Sequence, residues 1–290
     1  MTKWLVTGAT GMLGTDVVHA LEGREVTAAG HTDLDITDQR AVMAAVAGHD
    51  VVVNCAASTD VDAAERDPAP AFAVNALGPA LLARACRAHS ARLVHVSTDY
   101  VFDGRANTPY RADAVTAPLS AYGRSKLAGE WSVCAELGEH AHVVRTAWLY
   151  GTRRRGFVQA ILGALERPGD LDVIDDVVGQ PTWSRDLARW LVALADTGAP
   201  GGIHHGVSAG RASWYDFARA LARHAGADPD RVRPVPATAM PRPAPRPRYS
   251  VLRQEGPPAA GRLQDWRSAL AQAFPSIADA HASLLTNLER

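Results

Sequence analysis

Residues 4–14 read WLVTGATGMLG, a short apolar run followed by three glycines at the spacing G-x-x-G-x-x-G. In a dinucleotide site, Gly8 would permit the tight turn, Gly11 the close approach of a pyrophosphate, and Gly14 the close packing of helix on strand. A glycine triplet alone is weak, because many glycines only form a turn. This triplet follows a predicted strand and opens a predicted helix, which is the context that a dinucleotide site requires. We therefore predict that the phosphates of a cofactor bind at Gly8, Gly11, Met12, Leu13 and Gly14.

The chain on either side of this motif alternates apolar β-type runs with helical patterns. Strands are predicted at Trp4–Thr7, Glu25–Ala29, Asp50–Cys55, Arg92–Ser97 and His142–Thr146, with helices near 12–21, 38–47, 69–88 and 120–136. Such alternation is typical of a parallel doubly wound sheet, and apolar strands suit a sheet that is covered on both faces. We predict an α/β fold, in which a doubly wound parallel-sheet Rossmann domain precedes a smaller C-terminal α+β substrate domain.

The second half of the chain has a looser pattern. Helices are predicted near 157–166, 184–195 and 263–288, and a strand is predicted in LDVIDD. The proline-rich stretch 231–250 cannot form a regular helix, because proline lacks the N–H group and clashes with the preceding turn. We expect the NAD(P)-binding domain to cover residues 1–150 and the discontinuous substrate-binding domain residues 151–290. The chain is expected to return to the first domain around residues 172–205.

Composition narrows the class of protein. The 290 residues are 47% hydrophobic and 21% charged, with a formal net charge of −1, so electrostatics gives no reason to expect nucleic acid or an anionic membrane as a partner. No run reaches the 18 or so apolar residues that a membrane-spanning helix needs, and the glycine-rich N-terminus is not a signal peptide. The three cysteines lack metal or disulfide spacing, which favours a reduced, cytoplasmic protein.

A second motif suggests the chemistry. Tyr122 and Lys126 in AYGRSKLAGE stand at i and i+4, so on a helix they share one face. An ammonium beside a phenol favours the phenolate, and a tyrosine tuned in this way can act as a general acid toward a carbonyl oxygen. Thr98, at the end of a predicted strand, could donate a second hydrogen bond to that oxygen. A Tyr-Lys pair alone is usually surface decoration, but with the glycine motif it predicts a carbonyl-reducing site at Thr98, Tyr122 and Lys126.

The end of the second predicted strand bears on the choice between NAD and NADP. An acidic residue there would bind the ribose 2′-hydroxyl, and a basic one would accommodate a 2′-phosphate. This chain has Gly30-His31-Thr32 at that point, with Asp33 and Asp35 slightly later. Asp35 and Ile36 suit the adenine ring, although Asp35 could equally cap the helix predicted from residue 38. His31 is a weak cation at neutral pH, so the pattern favours NADPH modestly and leaves NADH open.

These segments together resemble a known family. TGATGMLG, NCAASTDVDAAE, STDYVFDG, YGRSKLAGE, RTAWLYG and GQPTWSRDLA are similar to the extended short-chain dehydrogenase/reductases, and within them to the dTDP-4-dehydrorhamnose reductases. The resemblance runs from Leu5 to about Trp266. It implies NAD(P)H-dependent reduction of the C4 ketone of a dTDP-4-dehydro-6-deoxyhexose, such as dTDP-4-dehydrorhamnose to dTDP-L-rhamnose. A related deoxysugar of antibiotic or cell-surface polysaccharide biosynthesis is also compatible.

The resemblance also implies roles for individual residues. Tyr122 would donate the proton, Lys126 would bind the nicotinamide ribose and tune Tyr122, and Thr98 would polarise the ketone. Asn54, Ala56 and Ala57 would lie along the cofactor. The implied substrate-binding residues are Asp62, Tyr100, Trp148, Arg246 and Ser250. Trp148 would pack on the sugar, with core packing as its alternative, and Arg246 would lie near the nucleotide end of the substrate.

The chain departs from the family pattern at three places. Val177 replaces a glutamine and Gly156 an asparagine, which leaves the identity of the sugar open. Some family members form dimers through Mg²⁺ held by glutamates, and the matching positions here are Asp16 and Arg185. Because arginine cannot bind a metal ion, we predict no metal, and the resemblance leaves a homodimer open.

The sequence also bears on three alternative functions. The related 4,6-dehydratases need a glutamate two residues after the threonine, where this chain has Tyr100. A sugar-nucleotide 4-epimerase would keep the same tyrosine and lysine. A non-catalytic regulatory subunit similar to the methionine adenosyltransferase β subunit would bind NADP, but the intact Thr-Tyr-Lys set argues for an enzyme.

The proline-rich stretch is interpreted as an ordered wall of the sugar pocket whose arginines face the diphosphate, or as a partner-binding polyproline segment.

Overall fold

The computed structural model describes residues 1–153 and 156–288. The strands are β1 (Lys3–Thr7), β2 (Glu25–Ala29), β3 (Val51–Asn54), β4 (Arg92–Thr98), β5 (Ala141–Thr146), β6 (Leu149–Tyr150), β7 (Leu171–Ile174), β8 (Val178–Gly179), β9 (Thr182–Trp183), β10 (Gly202–His205), β11 (Ala212–Ser213) and β12 (Val232–Val235). The helices are α1 (Met12–Ala20), α2 (Gln39–Val46), α3 (Val61–Arg66), α4 (Pro68–Phe72), α5 (Gly78–Ala88), α6 (Ala121–Leu137), α7 (Phe157–Leu165), α8 (Ser184–Asp196), α9 (Trp214–His224) and α10 (Trp266–Leu288).

Six of the strands form one parallel sheet in the order β2-β1-β3-β4-β5-β10. The chain leaves β1 for β2 on one side and then crosses to β3 on the other side of β1. Ligands of such sheets bind where the strand order reverses, at the carboxyl ends of the strands. The topology therefore places a crevice between the ends of β1 and β3.

Alternating side chains of each strand fill two separate cores. On β1, Trp4 and Val6 point to the face that α1 and α8 cover, whereas Leu5 points to the face of α2, α5 and α6. On β3, Val51 and Val53 join the first core and Val52 the second. Successive side chains of a strand point to opposite faces, so uninterrupted apolar runs require cover on both sides of the sheet. The predicted doubly wound α/β fold is confirmed.

The residues after β5 divide between this sheet and a separate cluster. Helix α8 packs on α1, and β10 pairs with β5 at the edge of the sheet. Helices α7, α9 and α10 enclose a further apolar core that contains Phe217 and Trp266. Helix α9 and strands β10 and β12 had no counterpart among the predicted elements. Strand β12 includes Pro234 and forms a two-stranded sheet with β7 within the described residues. The proline is tolerated because an edge strand leaves one row of N–H groups free.

The proline-rich stretch is ordered against the rest of the molecule. The N–H of Val178 donates to the carbonyl of Arg248 at 2.7 Å, and the N–H of Tyr249 donates to the carbonyl of Gly104 at 3.2 Å. Tyr110 exchanges backbone hydrogen bonds with Val251 and Arg253. As predicted, residues 236–250 contain no regular helix, and the stretch lies against the segment that follows β4.

Within the described ranges, one helical stretch, Pro68–Ala88, is long and apolar enough to cross a membrane. It comprises α4, a π-helical turn at Ala73–Leu77 and α5. Half of the most apolar window is buried, and α5 packs against α2 and α6. A core helix of a folded domain has the same length and composition.

Candidate active site

A cleft of about 770 Å³ opens at the carboxyl ends of the parallel strands. Fifteen of the residues predicted from sequence line it together: Gly8, Gly11, Met12, Leu13, Gly14, His31, Asp35, Ile36, Ala56, Ala57, Thr98, Tyr100, Tyr122, Lys126 and Trp148. Asn54, Asp62, Arg246 and Ser250 do not line it. The structure therefore brings the predicted glycine motif and the predicted catalytic set into one cavity.

The glycine motif has no room for side chains. Gly8 has φ of +66°, and a Cβ atom added to it would lie 2.6 Å from the N atom of Ala56. A Cβ atom on Gly14 would overlap the carbonyl oxygen of Gly8 and lie 2.8 Å from the Cα atom of Ala9. Helix α1 begins after Gly11 without a side-chain cap, so its first N–H groups are open to a ligand. This arrangement fits a dinucleotide whose pyrophosphate approaches the backbone closely.

Asp33 and Asp35, in the loop after β2, differ in their hydrogen-bond partners and in whether they line the cleft. The carboxylate of Asp33 accepts the N–H of Gly30 at 2.8 Å, and Asp33 does not line the cleft. Asp35 lines the cleft, and its Oδ1 accepts both the N–H and the hydroxyl of Thr37. Those two hydrogen bonds lower the pKa of Asp35. Asp38, and not Asp35, caps helix α2.

Lys126 is buried beneath the cleft. Helix α6 starts at a Ser120 cap that accepts the N–H of Gly123, and one turn of helix separates Tyr122 from Lys126. The Nζ atom of Lys126 donates to the carbonyl of Val96 at 2.7 Å, on the strand that ends at Thr98. Burial lowers the pKa of Lys126 to about 8, against the opposing effect of Glu130. The ammonium therefore remains the main form at pH 7.

Tyr122 lies against the segment that follows β4. Its ring meets that of Tyr100 edge to face at a centroid distance of 5.7 Å. A Cβ atom on Gly123 would overlap the carbonyl oxygen of Tyr100, so this glycine lets α6 approach the segment closely. Burial raises the pKa of the Tyr100 phenol, which keeps that side chain neutral. Tyr122 thus lines the same cleft as Lys126, held by its contact with the segment after β4.

Thr98 has a hydrogen-bonded neighbour that the sequence did not suggest. Its hydroxyl donates to Oδ1 of Asp99 at 3.1 Å and accepts the N–H of Tyr100 at 3.2 Å. Burial raises the pKa of Asp99 to about 7, while the nearby hydroxyls of Ser250 and Thr98 lower it. In the described part of the chain, neither Oδ2 of Asp99 nor Oγ of Ser250 makes a hydrogen bond of full geometry. Ser250 is therefore a neighbour of Asp99, behind Thr98, and does not line the cleft.

Asn54 connects neighbouring strands. Its Oδ1 accepts the hydroxyl of Thr7 at 2.7 Å and the N–H of Ala56 at 3.1 Å, and its Nδ2 lies 3.0 Å from Nδ1 of His95. The side chain is only 1% exposed. These contacts fix the turn that carries Ala56 and Ala57 to the cleft, so Asn54 supports the cofactor wall from behind.

Asp62 and Arg246 form a two-pronged ion pair. The Nη1 and Nη2 atoms of Arg246 donate to the two carboxylate oxygens of Asp62 at 3.0 and 2.9 Å. Nη1 also donates to the carbonyl of Ala244, whose N–H in turn donates to Asp62. The hydrogen bonds from Arg246 lower the pKa of Asp62. The pair ties the proline-rich stretch to α3. With the hydrogen bond to Ala244, it engages three of the five guanidinium N–H donors that the sequence interpretation assigned to a diphosphate.

Sequence reasoning missed a buried ion pair under the site. Glu130 and Arg145 are 1% and 2% exposed, with Nη2 and Oε2 2.7 Å apart. Ser97 donates to Glu130 at 2.5 Å, and Arg145 donates to the carbonyl of Ala112 at 3.1 Å. Removing one partner of such a pair costs about 3–5 kcal/mol. A charged residue inside a strand that is buried along its whole length, as at Arg145 in AHVVRT, was the available signal.

Aromatic side chains form part of the cleft lining. Trp148 was predicted to pack on the sugar, and the structure adds Phe157, Trp214 and Phe217 to the lining. Trp214 and Phe217 lie on helix α9, which had not been predicted. No local pattern in the sequence connects α9 to a site formed by the first 150 residues.

A Rossmann sheet whose glycine cradle shares one cleft with a helical Tyr-Lys pair and a strand-end threonine is the arrangement of the short-chain dehydrogenase/reductases. Residues 2–278 match the family model described as RmlD substrate binding domain. The chain belongs to this family, that of the dTDP-4-dehydrorhamnose reductases, and the predicted resemblance is confirmed.

Individual relatives agree with this assignment. The chain is 50% identical over 282 residues to a probable dTDP-4,6-dihydroxy-2-methyloxan-3-one 4-ketoreductase of Streptomyces antibioticus, covering 95% of each chain. It is 49% identical over 285 residues to a dTDP-4-dehydrorhamnose reductase of Streptomyces griseus, covering 95% of this chain and 94% of the relative.

Solved structures of the family have the same fold. A dTDP-4-dehydrorhamnose reductase of Clostridium acetobutylicum superposes with a TM-score of 0.89 at 38% identity, over 94% of this chain and 99% of the other. That of Bacillus anthracis, solved in complex with NADP, has a TM-score of 0.88 at 32% identity, over 94% and 99%. The prediction of a sugar-nucleotide 4-ketoreductase is thereby confirmed at the level of the family.

Proposed function

We propose that this protein uses NADPH to reduce the C4 ketone of a dTDP-4-dehydro-6-deoxyhexose, either dTDP-4-dehydrorhamnose or a related deoxysugar. The observation that carries the proposal is the presence of Thr98, Tyr122 and Lys126 in the same cleft as the glycine cradle. The names of relatives about 50% identical over nearly the whole chain support the same substrate class.

In this proposal, Tyr122 protonates the ketone oxygen while C4 is reduced to the alcohol. A bound nicotinamide supplies the hydride, and the residues of the chain manage the proton. The buried ammonium of Lys126 favours the phenolate that Tyr122 becomes after giving up its proton. The hydroxyl of Thr98 donates to the same oxygen once it turns away from Asp99. Because the cleft is partly closed by aromatic walls, these hydrogen bonds act in a medium of lower polarity than water.

The cofactor would lie along β1, the glycine cradle and the ends of β2 and β3. Gly8, Gly11 and Gly14 would receive the pyrophosphate, and His31, Asp35 and Ile36 would surround the adenosine. Asp33 is turned toward the N–H of Gly30, which removes the carboxylate best placed to bind a ribose 2′-hydroxyl. The proposal therefore specifies NADPH over NADH.

We expect NADPH to bind more tightly than NADH by up to ~10-fold, which corresponds to about 1.4 kcal/mol. The reason is that the carboxylate of Asp33 is engaged by the N–H of Gly30, whereas His31 lines the cleft and can donate a hydrogen bond to a 2′-phosphate. Cofactor fluorescence titrations measure both dissociation constants. His31→Glu should reverse the preference by repelling the 2′-phosphate, whereas His31→Gln should only reduce it. A wild-type preference for NADH would identify Asp33 as the ribose ligand.

The substrate would extend from the catalytic set toward the proline-rich stretch. Trp148 and Tyr100 would border the hexose. Asp62, Arg246 and Ser250 would act at the nucleotide end or behind it. For Arg246 to bind the diphosphate, its guanidinium must share its donors with Asp62 or exchange them. Arg242 lies 3.9 Å from Asp62 with its side chain 53% exposed, so it offers a second cation at the same place.

Turnover assays with a panel of dTDP-4-keto-6-deoxysugars test the proposed function. We expect NADPH consumption to match the formation of a C4 alcohol, with the product configuration read by NMR. Interconversion of the two C4 epimers of a dTDP-6-deoxyhexose that carries a C4 hydroxyl, without net NADPH consumption, would indicate an epimerase. Tight NADP binding without turnover of any substrate in the panel would contradict the proposal and favour the regulatory-subunit alternative.

A further inference from the structure

Trp148 has an unusual backbone conformation at the wall of the cleft. It lies between β5 and β6 with φ of +45°, in the left-handed region that bulky side chains rarely adopt. Among the described residues, Ser90 is the only other non-glycine residue with positive φ. Such conformations persist only where the surrounding structure holds them, and they cluster at functional sites. The contacts that hold Trp148 are therefore informative.

The indole of Trp148 stacks on that of Trp214. The ring centroids are 3.5 Å apart and the rings are 6° from parallel. Phe157 packs against Trp214 at a centroid distance of 4.5 Å. The carbonyl of Trp148 accepts the N–H of Thr182 at 3.2 Å. One face of the Trp148 indole is therefore covered by protein, and its backbone is fixed from β9.

A glycine makes room for the same ring. A Cβ atom on Gly179 would lie 2.5 Å from Cε2 of Trp148 and 2.7 Å from Nε1. Gly179, in β8, pairs with Ala212 of β11, and β11 leads directly into α9. The strand pair that places Trp214 thus also provides the space that the Trp148 ring occupies.

Trp214 itself is rigidly placed. It is the first residue of α9, whose N-terminus has a reciprocal cap between Ser213 and Asp216 with two hydrogen bonds of 3.0 Å. A capping box of this kind fixes the direction in which the chain enters a helix. Trp214 consequently presents a fixed aromatic face to Trp148.

We propose that Trp214 is a positioning residue, which holds the Trp148 indole in one orientation against the hexose ring of the nucleotide sugar. The inference rests on the proposed function, because it takes Trp148 to face the sugar. An unsupported indole would lose side-chain freedom when the sugar binds, and that loss weakens binding. A stacked indole has been ordered beforehand. Trp214 also lines the cleft, and in this proposal its effect on substrate binding is transmitted through Trp148.

The test is a double-mutant cycle on the KM for the dTDP-4-keto sugar. Trp214→Leu should raise KM about 5–10-fold, the effect of one well-placed aromatic pair, with kcat and the NADPH dissociation constant changed less than ~2-fold. Trp214→Phe should recover most of the loss. Trp148→Gly, which suits a left-handed backbone, should raise KM at least as much. The double variant should be no worse than Trp148→Gly alone, because the two residues act as one unit.

Trp131→Leu is the matched control, since Trp131 lies on α6 and is 64% exposed. Circular dichroism gives a readout independent of turnover, because two stacked indoles produce a coupled signal. That signal should disappear in Trp214→Leu and persist in Trp131→Leu. If the wild type is active, an unchanged KM in Trp214→Leu or additive effects in the double variant overturn this inference alone. A wild type that reduces no dTDP-4-keto sugar overturns the proposed function, while the dichroism still reports whether the indole pair exists.

Discussion

Replacing Tyr122 with Phe should lower kcat by at least ~10²-fold, the usual contribution of a positioned general acid. The substitution removes the phenolic proton and keeps the ring that meets Tyr100 edge to face at 5.7 Å. The packing of helix α6 should therefore be preserved. Steady-state kinetics under saturating NADPH measures kcat, and fluorescence titration should show an NADPH dissociation constant within ~2-fold of wild type.

Two further variants distinguish the loss of the proton donor from the loss of an unrelated phenol and from the loss of the neighbouring lysine. Tyr215→Phe removes a phenol on α9 that lies outside the cleft lining, and it should leave kcat unchanged. Lys126→Ala should lower kcat and also weaken NADPH binding, because the family resemblance implies that Lys126 binds the nicotinamide ribose as well as tuning the phenol. Near-wild-type turnover in Tyr122→Phe would rule out the proposed mechanism.

The parts of the site that the sequence predicted are those with a local pattern. Gly8, Gly11 and Gly14 stand within seven residues, and Tyr122 and Lys126 stand one helical turn apart. The strand that ends at Thr98 is a run of β-type residues. In each case the spacing reports a backbone geometry directly, and the topology of a parallel sheet then places all strand ends at one edge. The cleft lining agrees with these predictions.

The contacts that sequence reasoning missed join residues far apart in the chain. Asp62 and Arg246 form an ion pair although they are 184 positions apart in the chain. Trp214 lies on helix α9, far along the chain from the residues of the parallel sheet that line the cleft. The sequence predicted a separate role for Asp62 and for Arg246. No sequence pattern indicates that the Asp62 carboxylate binds the Arg246 guanidinium. The tertiary fold, and not local propensity, decides which donors remain for a ligand.

The buried charges near the catalytic set also depend on tertiary structure. Arg145 lies in β5 and Glu130 on α6, and both become buried only when α6 packs on the sheet. Glu130 then opposes the fall in the pKa of Lys126 that burial causes. The pKa of Lys126 therefore depends first on its burial and then on the charge of Glu130, on the same helix. The spacing of Glu130 and Arg145 in the sequence does not by itself indicate that they form an ion pair.

Gly14→Ala should be the most damaging substitution in the cofactor site. The added Cβ would overlap the carbonyl oxygen of Gly8, and neither backbone can move without opening the turn. We expect a loss of about 3 kcal/mol in the free energy of unfolding, at the upper end of overpacking. The NADPH affinity should fall ~10²-fold, as two or more hydrogen bonds to a charged group are lost. Thermal unfolding and cofactor titration measure the two effects.

Gly163→Ala is the matched control, because Gly163 also lies within a helix, α7, and there a Cβ would meet only Cε1 of His281, at an ordinary 3.8 Å. Alanine costs less conformational entropy in a helix than glycine does, so this variant should be more stable by roughly 0.5–1 kcal/mol. Its NADPH affinity should be unchanged. If the two substitutions change the free energy of unfolding in opposite directions, the cost of Gly14→Ala comes from the close approach of α1 to the turn after β1, and not from helix propensity. If Gly14→Ala instead behaved like Gly163→Ala, the backbone at Gly8 would not approach α1 as closely as described, and the glycine motif would be an ordinary turn.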